Sequence, residues 1–328
     1  ILKKNGYDPV QIDYRELPFL KRTISRKISD FISYGRNSKL KNENIQRVVN
    51  EYYKEQYELT EPELVFIYNE EYLKPSTVKY MSFKSKIIFI LGDNPLNYNP
   101  PNVFNLAILF KADYVLTPDS QWKTQLERIG VKNIYFDVFY DDTNSLYDNG
   151  KLINKDRVND LLFIGRLYKN AVGYKRCHFL NSFCELNIDI HGTAVYWKKW
   201  LPFFPRLKEK VVLHNVKISS RKLKNLMSSY KLYPVDTATG VVSGIHLRVF
   251  ECINAGILPL IEYTNDIDIV FRNVEIPVIK NYSEGRELAL KYLNNDELRN
   301  KILEDARNHL NNNYSSFNVI KRILDKIY

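Results

Sequence analysis

The chain has little cysteine: Cys177, Cys184 and Cys252 are its three in 328 residues. Their number and spacing exclude a disulfide framework and a cysteine-based zinc site, and leave buried, reduced thiols of the kind a cytosolic chain carries. Long apolar runs are missing too. Ile87-Ile88-Phe89-Ile90-Leu91 is far too short to cross a bilayer, which takes about 20 apolar residues. No short repeat recurs, and no His, Asp and Glu fall at metal-ligand spacing, so neither a metal nor another cofactor is expected. No initiator methionine opens the chain and no signal-peptide pattern is visible.

What is present is ordinary globular composition, with 45% hydrophobic and 26% charged residues, which excludes wholesale disorder and collagen-like repeats. The length suggests two domains. Lysine and arginine total 48 against 38 aspartate and glutamate, a net charge of +10 that suits an anionic partner: nucleic acid, acidic lipid or a phosphorylated small molecule.

Ile1–Tyr7 reads as the end of a helix with Gly6 as its C-cap, so a strand, a turn and most of a helix are expected upstream. Val10–Tyr14 alternates like a strand. Leu20, Ile24, Ile28, Phe31 and Ile32 keep helical spacing, as do Ile45, Val48, Val49 and Tyr52. Strands are then expected at Leu64–Tyr68, Lys86–Leu91, Tyr114–Thr117 and Asn133–Phe139, with helices at Ser76–Phe83, Val103–Lys111 and Ser120–Ile129. Tyr140–Asn159, rich in Asp and Asn, reads as an interdomain connection. A second series follows, with strands at Asp160–Ile164, Asn187–His191, Val211–His214, Leu232–Val235, Ile257–Ile261 and Glu275–Val278. Its helices are expected at Tyr174–Glu185, Ser219–Ser229, Ile245–Ala255, Ser283–Asn294, Asp296–Asn312 and Phe317–Ile327. Such alternation predicts α/β units with parallel sheets covered on both faces, which bind ligands at the carboxyl ends of their strands.

The most informative stretch runs from Ser243 to Gly256. Ser243 is a candidate N-cap, Gly244 allows a ligand close to the backbone, and the N–H groups from Ser243 to Ile245 would form an anion site at a helix N-terminus. Arg248 adds a permanent charge. Glu251 falls among apolar residues, where its carboxylate needs donors such as two ribose hydroxyls; the plainer alternative is a Glu paired to a neighbouring base. Gly165-Arg166 ends a strand and opens a loop with Lys169, Lys175 and Arg176, which reads either as a solvated basic loop or as fixed cations for an anionic ligand. Thr237, Thr239 and Gly240 precede the Ser243 turn and read either as a polar turn or as contacts to phosphate or sugar hydroxyls. His246 is the best ligand contact among the histidines, with His191 and His214 reading as structural. Asp93, after an apolar strand and before Asn94-Pro95, is either a general base or part of an Asx turn.

Arg248-Val249-Phe250-Glu251, then Ala255-Gly256 and Ile257-Leu258-Pro259-Leu260-Ile261, resembles the nucleotide-binding signature of two-domain GT-B glycosyltransferases. It is most similar to the spore-maturation, CgeB-type and glycosyltransferase family 1-like group. Leu91-Gly92-Asp93-Asn94-Pro95, Asp113–Thr117 and Leu162–Tyr168 resemble further stretches of that group in the same order. The resemblance implies two Rossmann-like doubly wound domains facing across a cleft. Residues 1–152 would form the acceptor domain and 153–312 the nucleotide-sugar domain, with a C-terminal helix at 313–328 crossing back. It implies transfer of a sugar, without a metal, from a nucleotide-sugar donor to a cell-surface glycan, lipid-linked or protein acceptor. Arg166, Lys169, Thr237, Thr239, Ser243, Gly244, Ile245, His246, Arg248 and Glu251 would hold the donor, with Glu251 on its ribose, and Asp93 is the candidate catalytic base. Retaining relatives often carry a Glu-x7-Glu pattern whose first Glu falls on Ser243 here. Alternatives are a nucleotide-sugar epimerase or hydrolase on the same scaffold, a non-catalytic donor-binding subunit, and a nucleic-acid-binding module, the last not expected from the resemblance.

Two basic stretches extend the list of partners. Lys21–Lys41 carries seven Lys and Arg against Asp30, and Tyr196–Arg206 mixes tryptophan and phenylalanine with cations, as interfacial segments do. Both read either as solvated or packing surfaces or as contacts with an anionic membrane, which gives a cytoplasmic protein that is peripheral on the inner face.

Overall fold

In a computed structural model, the described residues are 2–13, 38–68, 72–96, 103–141, 147–148, 151–152, 157–165, 167–168, 170–214, 223, 226–238 and 240–328. Contacts group the chain into two compact units, one of Ile1–Val138 with Val319–Tyr328 and one of Phe139–Asn318.

The first unit is built on four parallel strands in the order β1 (Leu64–Tyr68), β2 (Lys86–Ile90), β3 (Tyr114–Thr117) and β4 (Ile134–Phe136). Ile87, Ile88, Phe89, Val115 and Leu116 are buried, as parallel strands covered on both faces require. Helices α1 (Ser38–Thr60), α2 (Pro75–Met81), α3 (Val103–Leu109) and α4 (Ser120–Arg128) alternate with the strands. Asp119 caps α4 by accepting the N–H groups of Gln121 and Trp122. Asp137, just past β4, takes a two-pronged ion pair from Arg322 at 2.8 and 2.9 Å, which ties Val319–Tyr328 to this sheet.

Two expectations at the start need comment. Gly6 adopts φ +84° after a single 3-10 turn at Leu2–Asn5, the left-handed cap its position suggests. Of the strand expected at Val10–Tyr14, Val10–Asp13 joins no sheet among the described residues, and Tyr14 lies outside them. The helical spacing at Leu20–Ile32 and most of the basic Lys21–Lys41 stretch lie outside the described residues.

The second unit opens with a two-residue hairpin, β5 (Tyr147–Asp148) and β6 (Lys151–Leu152). Its main sheet holds β7 (Asn159–Ile164), β8 (Ile188–Thr193), β9 (Val211–His214), β10 (Tyr230–Val235), β11 (Leu258–Glu262) and β12 (Val278–Ile279). All pair in parallel in the order β9-β8-β7-β10-β11-β12. From β7 the chain proceeds to β8 on one side, and from β10 to β11 on the other. The strand order therefore reverses between β7 and β10, and their carboxyl ends form the switch point of a doubly wound sheet.

The connecting helices are α5 (Ala171–Asn181), α6 (Ala194–Trp197), α7 (Pro205–Lys210), α8 (Arg248–Asn254) and α9 (Asn265–Val270). They are followed by α10 (Gly285–Leu293), α11 (Asp296–Tyr314) and α12 (Ser316–Ile327). Most of the helix expected at Ser219–Ser229 lies outside the described residues. α8 ends on Gly256 at φ +64°, with Gly256 N–H donating to Ile253 O and Ile257 N–H to Cys252 O, both at 3.0 Å. This paired closure needs a residue tolerant of positive φ, which explains the Ala-Gly turn into β11.

Candidate functional site

The switch point of the second unit gathers most of the residues singled out above. Just past β10, Asp236 is buried and accepts the Nε–H of Arg176 at 2.6 Å. Arg176 is itself buried and lies against the rings of Phe163 and Tyr168 at 5.7 and 5.4 Å. Burial pushes the Asp236 carboxyl above its ordinary range, and the Arg176 charge opposes that shift. This corrects the reading of Lys175 and Arg176 as loop cations. Both sit on α5, and Arg176 serves inside the unit because Phe163, Tyr168 and Asp236 enclose it.

Lys175 reaches the end of β11, where its Nζ pairs with Glu262 at 2.7 Å. The same carboxylate accepts the Thr237 N–H at 2.7 Å, the Thr237 hydroxyl at 2.9 Å and the Tyr282 hydroxyl at 2.6 Å. Burial alone would raise its pKa, but these donors outweigh burial and hold it below the usual carboxylate range. Thr237 is thus fixed by Glu262, a residue sequence reasoning missed, because only the fold brings the end of β11 beside the residues after β10.

The turn before α8 differs from expectation. Ser243 is not the N-cap: the helix starts at Arg248, and the buried Ser243 instead accepts the Asp266 N–H through its backbone carbonyl at 3.0 Å. The first helical N–H, that of Arg248, donates to His246 Nδ1 at 3.0 Å. The imidazole takes the capping role expected of the serine hydroxyl, and Ser243-Gly244-Ile245 forms a turn one step earlier. Because Nδ1 accepts, the neutral ring carries its proton on Nε2. Burial, aided by the Arg176 and Arg248 charges, pushes the His246 pKa down to about 4.

Arg248 lies over the Tyr233 ring at 5.8 Å and pairs with Glu251 one turn on. The Glu251 side chain is 54% exposed. Its carboxylate therefore faces away from the buried Val249, Phe250, Cys252 and Ile253, and the premise that apolar neighbours surround it is corrected. Tyr233 joins the two central strands at their ends: its hydroxyl accepts the Ile164 N–H and donates to Ile164 O, both at 2.9 Å. Arg166, Lys169 and Thr239 lie outside the described residues, as does the side chain of His214. Asp93 belongs to the other unit, exposed at the carboxyl end of β2, and the Asx turn there is made by Asn94, whose Oδ1 accepts the Leu96 N–H at 2.9 Å.

In the aromatic stretch Tyr196–Arg206 the two tryptophans follow the packing alternative. Trp197 is fully buried, and its indole donates to Gly165 O at 2.9 Å; Trp200 donates to Tyr168 O at 2.7 Å. Trp197 packs into the unit, Trp200 is half-buried, and Phe203 of the same stretch is exposed. The three cysteines are buried, and burial pushes Cys177 up to about 12 and Cys184 to about 11, which keeps both protonated. Among the described residues no group of three His, Cys, Asp or Glu is placed to hold a metal. No described helix is long and apolar enough to cross a membrane.

Residues 175–325 match a family model described as glycosyl transferase-like. A search of curated protein sequences gives no match. Solved structures do resemble the chain. A UDP-forming α,α-trehalose-phosphate synthase of Burkholderia xenovorans superposes with a TM-score of 0.60 at 13% identity, over 89% of this chain and 80% of that one. The sucrose-phosphate synthase of Thermosynechococcus elongatus gives 0.62 at 10% identity, over 86% and 77%. The HepE protein of Anabaena, solved with UDP and glucose, gives 0.59 at 10% identity, over 88% and 81%. The chain has the GT-B fold. Within GT-B nomenclature the second unit is the carboxyl-terminal Rossmann-like half, and the family match falls almost wholly inside it.

Proposed function

We propose that the protein is a glycosyltransferase whose second unit binds a nucleotide-sugar donor at the β7–β10 switch point. The observation that carries this reading is the meeting, at that point, of Gly165, Thr237, the Ser243–His246 turn, Arg248 and Glu251, in a unit matched to glycosyl transferase-like sequences. In this reading Arg248 faces the diphosphate, the Ser243-Gly244-Ile245 turn lines its path and Glu251 accepts ribose hydroxyls; Arg166, Lys169 and Thr239 remain candidates from the sequence. In the reaction an acceptor oxygen bonds to the anomeric carbon while the bond from that carbon to the phosphate oxygen breaks. The electron pair stays on the departing diphosphate, where the cations stabilise it. The acceptor proton passes to a base, for which Asp93 is the candidate. The acceptor is a glycan, lipid-linked or protein hydroxyl.

Calorimetric titration with UDP, GDP, CDP and dTDP, followed by assays with the matching sugar nucleotides, tests the reading. Binding of none of them rejects it, and a sugar altered without any acceptor points to an epimerase or hydrolase. In folded protein, Glu251→Ala is expected to weaken nucleotide binding by about 1.5–3 kcal/mol, the value of hydrogen bonds to a charged group. Unchanged affinity removes Glu251 from the ribose site. We also propose that the reaction needs no divalent ion. Activity is expected to persist in excess EDTA, and loss that Mg²⁺ or Mn²⁺ restores would show that the cations do not replace a metal.

A further inference from the structure

The loop leaving β7 is held at both ends by indoles from one short segment. Trp197, at the end of α6, donates to the carbonyl of Gly165, and Trp200 donates to that of Tyr168, at 2.9 and 2.7 Å. Carbonyls of a surface loop ordinarily turn to water, so two indole partners are a specific arrangement. The packing around them leaves no slack. Gly192 lies against the Trp197 indole, and a Cβ there would run into the ring. Gly173 on α5 stands where a Cβ would strike both Tyr168 O and Trp200 Nε1. The Tyr168 ring lies 5.4 Å from the Arg176 guanidinium, which Asp236 fixes in turn. The loop is thus held by the α6 segment, by α5 and, through Asp236, by the end of β10.

We infer that Trp197 and Trp200 are positioning residues that hold the main chain at Gly165 and at Tyr168 in its donor-binding position before the nucleotide arrives. The inference rests on the reading above that the donor diphosphate lies at this switch point. A loop ordered only on binding would subtract its lost freedom from the affinity; a loop already tied down does not. Indoles suit the task because they are rigid, large and carry one fixed donor.

Trp197→Phe and Trp200→Phe each keep an aromatic ring and delete the N–H. With UDP as the probe, titrated well below the melting temperature, Trp200→Phe is expected to raise Kd roughly tenfold, as loss of a buried hydrogen bond allows. Trp122→Phe, in the other unit, is expected to leave Kd unchanged. A packing role alone would lower Tm and leave Kd untouched, so wild-type affinity in both loop variants overturns the inference. A second readout does not depend on those variants folding. The chain has three tryptophans, so Trp122→Phe leaves Trp197 and Trp200 as the remaining indoles. In that protein without nucleotide, the Trp197 and Trp200 indole N–H groups are expected to exchange slowly with deuterium, as donors already engaged do, and exchange of both as fast as a free indole until UDP is added overturns the inference. Wild-type protein that binds no nucleoside diphosphate removes the donor reading itself, and this inference with it.

Discussion

Asp236→Ala is expected to destabilise the protein by about 3–5 kcal/mol, the cost of breaking a buried ion pair by removing one member. The side chains of Arg176 and Asp236 are 7% and 4% exposed, so water cannot replace the lost contact. The Phe163 and Tyr168 rings beside Arg176 offer a face to its charge but accept no full hydrogen bond. Urea unfolding at pH 7 measures the effect, and a loss under about 1 kcal/mol would show that solvent or another acceptor reaches the guanidinium. The double variant Arg176→Met/Asp236→Leu separates the pair from its burial. Apolar side chains of similar volume are expected to regain most of the stability, because the pair's own attraction is largely offset by its desolvation. The regained variant should still bind nucleotide poorly, since the pair also fixes Tyr168 beside the donor loop. Stability and affinity then move apart, which a general loosening of the unit would not produce.

The fold was legible because both halves repeat one signal. Apolar runs such as Lys86–Ile90 and Leu258–Glu262 alternate with amphipathic helices, and a buried parallel strand writes itself as a continuous apolar run. Strand positions at Leu64–Tyr68, Tyr114–Thr117 and Val211–His214 coincide with the expected ones. Val10–Asp13 did not, since alternation records the faces of a segment and not the presence of a neighbour to bond it. The site was legible in part. The stretch around Arg248 and Glu251 stood out by local pattern, and so did the loop after β7. Glu262, Asp236 and the two tryptophans were not visible as site residues, because each acts on a partner distant in sequence: Lys175 on Glu262 across 87 positions, Trp197 on Gly165 across 32. Trp197 and Trp200 carried an ambiguous local signal, since aromatics interleaved with lysines look alike whether they face a membrane or a core. Ser243 misled for a related reason: a serine before a helix-like run is a sound N-cap candidate, but the helix began later and a histidine ring nitrogen filled the role.

That histidine gives the second large effect. His246 is expected to make the protein less stable as the medium is acidified from about pH 6.5 towards about pH 4. In the folded chain its pKa is pushed down from 6.5 to about 4, first by burial and then by the Arg176 and Arg248 charges. In the unfolded chain the ring titrates near its ordinary value. Between these values the unfolded state binds the proton and the folded state does not, so falling pH favours unfolding. The contribution is complete above pH 6.5, declines by about 1.4 kcal/mol per pH unit below it, and is spent near pH 4 at roughly 3 kcal/mol. His246→Gln removes the titration while keeping a polar side chain. Urea midpoints at pH 7.5 and 5.0 are to be compared for both proteins. The wild type is expected to lose about 2 kcal/mol more than the variant over that interval. Parallel losses would mean that His246 accepts a proton in the folded state without penalty, and that its Nδ1 does not hold the Arg248 N–H. The same titration bears on catalysis. A ring that stays neutral offers its Nε2–H as a donor at every working pH above about 5, so the activity profile should show no limb near pH 6.5 that disappears in His246→Gln.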